Sequence, residues 1–372
     1  FMIKTLKSTK DLDQACKILV ASAADNKSHD NLTCQLVRIE SLPDQDHDAA
    51  YQELTKLPFP PALDTGMILD GYKILREIHA SKRTQLYLAV DQETGKQVAL
   101  KTPSINYEDD PTYIDLFLHE EWVGKRLDNT HVLKVCDHQR KRQFLYCVME
   151  YVDGTTLRQW MRDHPTPTIV EVRHIIEQIA RGLRAFHRLE MIHQDLKPEN
   201  IMIDQYGVVK IIDFGSTKIA GIEEITSPVE RISLLGTVNY TAPEYARNEM
   251  PTNRSDIFSV GVIAYEMLTG ELPYKERSFR KKITRLDYIS AIEHNPEVSD
   301  WVDGALKKAV DPDNHRRYDT LSEFIQDLTK PNTSLINTDT LPLMERNPVG
   351  FWRTVSLALF ILNLFLIFYI FK

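Results

Sequence analysis

The run His193-Gln194-Asp195-Leu196-Lys197-Pro198-Glu199-Asn200 constrains this chain more than any other stretch. A helix leads into it. Ile175, Ile176, Ile179, Leu183 and Phe186 recur at helical spacing and give that helix one apolar face. After it, Val208 to Ile212 reads as a short strand that delivers Asp213-Phe214-Gly215. Asp213 follows Asp195 by 18 positions. A fold that accommodates this pattern has to set a polar loop between a buried helix and a strand, with a second acid at the strand's end.

The two runs, in this order, resemble the catalytic loop and the metal-binding triplet of the protein kinases. Phosphoryl transfer needs a carboxylate near the attacking hydroxyl, a lysine near the moving phosphate and oxygen ligands for Mg²⁺. By this resemblance Asp195 is the base, Lys197 the phosphate contact, and Asn200 and Asp213 the metal ligands. Mg²⁺ prefers such hard oxygens and takes few of them from the protein. A polar loop that matches by chance is the bland alternative, and further motifs in the expected order count against it.

Upstream, Tyr72 to Glu77, Gln85 to Asp91 and Gln97 to Thr102 read as three strands. Glu93-Thr94-Gly95-Lys96 joins the last two as a hairpin. Val98-Ala99-Leu100-Lys101 resembles the kinase strand that carries a phosphate-binding lysine. The resemblance assigns Glu120, in a helix expected from Thr112 to Leu127, as the carboxylate that holds Lys101. Neighbouring Glu121 is the second choice. Gln143 to Tyr151 reads as another strand, and Val148-Met149-Glu150-Tyr151-Val152 resembles the hinge between kinase lobes. The resemblance implies that the backbone of Glu150 and Val152 reads the adenine edge of ATP, with Met149 behind it. Ala99 and Met202 would then cover the two faces of the ring.

Downstream, Gly236-Thr237-Val238-Asn239-Tyr240-Thr241-Ala242-Pro243-Glu244 resembles the end of a kinase activation segment. Ser255 to Gly261 follows as a buried helix start, with Asp256 expected to brace the catalytic loop. Arg317 is the candidate partner of Glu244. The resemblance runs over residues 71–330 and implies an α+β protein of two lobes, a β-rich amino-terminal one and a helical carboxyl-terminal one.

The remainder of the 372 residues is organised around that domain. Apolar content of 42% and charged content of 26% suit a globular chain, and a net charge of −8 argues against nucleic acid as a partner. The four cysteines lack metal-ligand spacing and read as reduced thiols. Residues 1–40 carry a helix around Leu12, Ala15, Cys16 and Leu19 and an extended run from Leu32 to Ile39. Asp30-Asn31-Leu32-Thr33 resembles the end of a PPM-type phosphatase, in which the aspartate is a metal ligand; a capped turn is the equally weighted alternative. On the phosphatase reading, 1–40 is the remnant of a domain that lies upstream. Residues 41–70 read as a Pro- and Asp-rich linker and 331–350 as a tether.

From Val355 to Phe371 no charged residue occurs. As a helix this run would span about 25 Å, enough for a thin hydrocarbon core. Residues 351–372 are therefore expected to form a transmembrane helix. Trp352 and Tyr369 fall at its ends, and Arg346 and Arg353 precede it, which puts residues 71–330 on the cytoplasmic side of a bacterial inner membrane.

Two departures stand out. Kinases cover the phosphates with G-x-G-x-x-G, whereas this chain has His79, Ser81 and Thr84 and no glycine between Gly71 and Gly95. Gln194 stands where most kinases carry arginine. The resemblance, with Lys197 two residues after Asp195, implies a serine/threonine protein kinase that uses ATP and Mg²⁺. It looks like the kinase half of bacterial proteins that join a PPM-type phosphatase to a kinase. A pseudokinase scaffold, motivated by the missing glycines, is the alternative. A small-molecule kinase is the third reading, and the complete 236–244 segment argues against it.

Overall fold

The computed structural model describes residues 2–9, 11–26, 32–37, 54–136, 140–219, 239–247, 249–274, 287–335 and 348–370, without the side chains of 7, 219, 348 and 364–370. The chain divides into two units, Phe1–Leu57 and Pro58–Lys372.

The first unit contains α1 (Met2–Ser8) and α2 (Leu12–Asp25). Asp11 caps α2 by accepting the Asp13 N–H at 3.0 Å, and Ala15 and Leu19, one turn apart, are buried. The strand expected over Leu32–Ile39 does not form in its described part. Residues 32–37 have no regular structure, because no strand among the described residues pairs with them. Asp30 lies outside the described residues.

The second unit opens with a five-stranded antiparallel sheet in the order β1-β2-β3-β4-β5. Its strands are β1 (Ile68–Leu69), β2 (Tyr72–Ala80), β3 (Thr84–Asp91), β4 (Gln97–Pro103) and β5 (Cys147–Glu150). Alternating apolar residues give the sheet one buried face, on which Tyr72, Ile74, Tyr87, Leu100, Tyr146 and Val148 pack. Leu63 and Leu69 join that core, so residues 58–70, expected to be linker, belong to this unit. The strand expected from Gln143 starts only at Cys147. Ahead of it the backbone is spent elsewhere: the N–H of Gln143 goes to the Asp70 carboxylate (2.8 Å) and that of Leu145 to the Pro58 carbonyl (2.9 Å). Helix α3 (Pro111–Arg126) follows β4, with Pro111 at its first turn and Asp110 as its cap.

The rest of this unit is mainly helical. β6 (Gly154–Thr156) leads into α4 (Leu157–Asp163) and α5 (Ile169–Arg188), which a Thr168/Glu171 capping box starts. Short strands follow: β7 (Met191–Ile192), β8 (Ile201–Asp204), β9 (Val209–Ile211) and β10 (Lys218–Ile219). β7 pairs with β10, while β8 lies between β6 and β9. Helix α6 (Asn253–Thr269) is apolar nearly all round and accordingly forms the centre of this region, with Ile257, Phe258, Val260 and Ile263 fully buried. Gly270, at φ +73°, ends it. Helices α7 (Ala291–His294), α8 (Asp300–Ala309) and α9 (Leu321–Thr329) complete the packing.

The carboxyl-terminal run forms α10 (Pro348–Ile370). Among the described residues, no helix is long and apolar enough to cross a membrane. The transmembrane helix expected over residues 351–372 is thus not supported among the described residues.

Candidate active site

Lys101, on β4, meets Glu120 of α3, and its ammonium lies 2.6 Å from both carboxylate oxygens. Glu121 does not compete for it. Burial alone would favour the neutral amine, but Glu120 and then Asp213 outweigh it and hold Lys101 above its ordinary range. Burial also raises the Glu120 carboxyl; with both its oxygens on Lys101, the pair is ionised.

Asp213 follows β9. Burial works against its charge, yet Lys101 and the Gly215 N–H, donated to Oδ1 at 3.0 Å, outweigh it and keep its pKa low. Phe214 is fully buried and packs on Phe186 of α5 with ring centres 5.8 Å apart. Gly124 of α3 allows this seating, because a Cβ there would stand 3.2 Å from Phe214 and 2.2 Å from Val135.

Between α5 and β8 lies the loop carrying Asp195. Asp256 of α6 fixes its backbone, accepting the N–H of His193 at 3.1 Å and that of Gln194 at 3.2 Å. It also meets His187 Nε2 at 2.8 Å. Gln194 takes the left-handed φ of +70°, a conformation that costs energy outside glycine and is held here by those bonds. Lys197 Nζ donates to Asp195 Oδ2 at 2.8 Å, and Asn200 Nδ2 donates to the Asp195 carbonyl (2.9 Å) and Oδ2 (3.2 Å). Burial raises the Asp195 carboxyl against the pull of Lys197. Because the Asn200 amide nitrogen is engaged, its oxygen is the atom offered to a cation. Among the described residues no cluster of three His, Cys, Asp or Glu side chains could hold a metal. The oxygen pair Asn200/Asp213 fits instead a hard ion that takes most of its ligands from phosphate and water.

Lys101, Glu120, Asp195, Lys197 and Asp213 all line one cleft of about 420 Å³. The β2–β3 hairpin closes one side of it and shows how the chain manages without glycines. Ser81 Oγ accepts the N–H groups of Arg83 (3.2 Å) and Thr84 (2.9 Å) and donates to the Thr84 carbonyl (3.0 Å). The tip is tied down from α3, since Tyr113 Oη donates to the Arg83 carbonyl. Burial pushes the Tyr113 hydroxyl up to about 12. Ser81 and Thr84, which the sequence sets in place of the phosphate-loop glycines, line the cleft, and so do Arg83 and Tyr107, which were not foreseen from the sequence.

The expected adenine-side residues sit apart from that lining. Ala99 pairs with Met149 across β4 and β5, and Met202 lies on β8. The Lys134 N–H and Lys210 Nζ both meet Glu150 Oε1 at 2.8 Å, and the Glu150 N–H goes to the Lys134 carbonyl at 2.9 Å, so the atom a ligand would meet on the Glu150 backbone is its carbonyl. Val152 is buried. Arg317 and Glu244 form a bidentate pair at 2.8 and 2.9 Å with no exposed surface, and Ser255 Oγ adds a bond to Glu244 at 2.7 Å. The activation-segment hydroxyls that a phosphate could modify, Thr226, Ser227 and Ser233, and the separate Thr237 lie outside the described residues.

Residues 72–329 match the protein kinase domain family. The chain is similar to serine/threonine-protein kinase PrkC of Bacillus subtilis (strain 168): 33% identity over 260 residues, 69% of this chain and 40% of the relative. A probable serine/threonine-protein kinase, PknB of Lactococcus lactis subsp. lactis (strain IL1403), is 32% identical over 270 residues, 72% of this chain and 42% of the relative. The chain thus spans 40% and 42% of the length of these two curated relatives. The crystal structure of the Mycobacterium tuberculosis PknI kinase domain aligns with a TM-score of 0.56 at 25% identity, covering 72% of this chain and 99% of that one.

Proposed function

The chain belongs to the protein kinase domain family, and on that premise we propose that it transfers the terminal phosphoryl group of ATP to serine or threonine hydroxyls of protein substrates. One observation carries the reading. The closed Lys101–Glu120 pair shares a single cleft with Asp195, Lys197 and Asp213. Two ammonium groups and three carboxylates placed together fit the demands of phosphoryl transfer, which are positioning and charge compensation.

Asp195 accepts the proton of the substrate hydroxyl, with its Oδ2 held by Lys197 and Asn200. Lys101, fixed by Glu120, meets phosphate oxygens and offsets their charge, and Lys197 does so on the transferred group. Asn200 and Asp213 would hold Mg²⁺, which when bound draws negative charge off the phosphate oxygens. The backbone of Glu150 and Val152, between Ala99 and Met202, would take the adenine. Gly215 donates its N–H to Asp213 and so orients the carboxylate.

The test is labelled ATP with Mg²⁺ and a generic protein substrate, comparing the chain with Asp195→Asn and Asp213→Asn. Transfer by the chain and its loss in both variants supports the reading. Equal transfer in all three refutes it. The absence of transfer by the chain itself, with nucleotide still bound, favours the pseudokinase alternative that the glycine-free hairpin motivates.

Two finer proposals rest on sequence alone. Residues 351–372 would attach the chain to a membrane, which fractionation with and without them tests. Residues 1–40 would end a PPM-type phosphatase domain, which a phosphatase assay on a longer chain tests.

A further inference from the structure

Three consecutive residues of α3 make three separate attachments. His119 Nε2 meets the carbonyl of Thr217, just past Asp213-Phe214-Gly215, at 2.8 Å. Glu120 holds Lys101. Glu121 takes Arg142, whose guanidinium meets both of its carboxylate oxygens at 2.5 and 2.9 Å. Arg142 stands in the connector ahead of β5 and also donates to the Tyr146 carbonyl at 3.0 Å, so its fork is fixed on the sheet side.

We propose that Arg142 and Glu121 are positioning residues, a second and buried ion pair that keeps α3, and with it Glu120, seated for catalysis. The proposal rests on the kinase reading. Neither residue lines the cleft, so neither touches a substrate there. Both are enclosed, with side chains only 9% and 4% exposed. Ions so buried are retained only with full hydrogen bonding, and their best-attested use is to fix register. The bidentate guanidinium–carboxylate geometry supplies that direction.

A second clamp has a physical reason to exist. Lys101 must serve phosphate oxygens as well as Glu120, so nucleotide competes for the attachment that seats α3. The Arg142–Glu121 pair is outside that competition. It is also independent of charge on the activation segment, whose usual arginine partner beside the catalytic aspartate is Gln194 here. The adjacent acids Glu120 and Glu121 thus divide the work: one faces the cleft and the other holds the helix. Burial disfavours the Glu121 charge, but Arg142 and then Lys125, 3.0 Å away, outweigh it.

The experiment uses the full chain with Glu121→Leu/Arg142→Met and with Arg142→Lys. The apolar pair replaces a buried ion pair without leaving a buried charge orphaned, because Lys125, the other cation on Glu121, is partly exposed, and folds often tolerate such a change; Arg142→Lys keeps the charge and removes the fork. Hydrogen exchange of the α3 amides is read against those of β2 to β4, and kcat and KM for ATP are measured separately. The expected result is α3 exchange about tenfold faster with the sheet unchanged, and kcat about tenfold lower in the apolar pair, equivalent to about 1.4 kcal/mol of barrier. Arg142→Lys should fall between. Wild-type exchange and kcat in a folded apolar pair would overturn the proposal, as would faster exchange with kcat retained. If the apolar pair does not fold, Arg142→Lys decides by the same readings. If the unaltered chain transfers no phosphate, the kinase reading fails while α3 exchange still decides whether the clamp seats the helix.

Discussion

Replacing Arg317 by methionine should be the most costly single change in the carboxyl-terminal region, and its cost should depend on pH. Arg317 donates to both Glu244 oxygens, to the Asp311 carbonyl at 2.7 Å and to the Arg254 carbonyl at 2.9 Å. Methionine refills the volume against Phe258 but leaves Glu244, with no exposed surface, bonded only by Ser255 among these partners. A buried carboxylate without a cation escapes by taking up a proton. Holding it neutral at pH 7 costs about 3.7 kcal/mol, from an unfolded pKa near 4.3 and ~1.36 kcal/mol per unit. The two abandoned carbonyls add about 1 kcal/mol each. The sum, roughly 4–6 kcal/mol, overlaps the ~3–5 kcal/mol range for breaking a buried pair.

The sign follows from the two pKa directions. In the unaltered chain Arg317 outweighs burial and holds the Glu244 carboxyl below its ordinary range, so its contribution is present above the unfolded pKa and is lost in acid. In the variant the folded pKa is raised instead. The variant is therefore penalised most at neutral pH, and the penalty shrinks as pH falls. At pH 5.5 the protonation cost is only about 1.6 kcal/mol. Urea unfolding followed by tryptophan fluorescence at pH 7.0 and 5.5 measures the difference. A loss under about 1 kcal/mol at pH 7, or one equal at both pH values, would refute this account of the pair.

Asp213→Asn and Asp195→Asn should each abolish phosphoryl transfer while shifting the melting temperature little, read by labelled-ATP assay and calorimetry. The Asp91 carboxyl should show in acid: although burial opposes its charge, Arg140, the Glu93 N–H and Thr94 hold its pKa near 2. Its contribution is present above the ordinary aspartate range and lost as pH falls toward 2, so Asp91→Asn should flatten the stability decline between pH 4 and 2 in urea titrations. Activity should not require a phosphate on the activation segment, because Gln194 cannot pair with one as arginine does. Complete dephosphorylation, checked by mass spectrometry, should leave the initial rate within tenfold, and a larger drop would count against the role given to Gln194.

What the sequence by itself determined is the local chemistry. Asp195, Lys197 and Asn200 share one short loop, so their identities and spacing already state which groups can converge. Apolar periodicity placed α5 ahead of that loop, and the kinase resemblance picked out Asp256 as its brace, a role that a helix-start carboxylate fills by accepting loop N–H groups. The kinase resemblance favoured Glu120 over Glu121, and the tertiary structure supplies the physical reason. Adjacent helical residues point about 100° apart, and packing of α3 on Phe214 and Val135 sets which one meets Lys101. Packing likewise drew residues 58–70 into the sheet's core, since Leu63 and Leu69 gain by burial what the prolines nearby deny to regular structure. The glycine-free hairpin belongs to the same class. Ser81 closes it locally, but its tether joins Arg83 to Tyr113, 30 positions on, and no local propensity reports a contact that exists only once β2, β3 and α3 have come together.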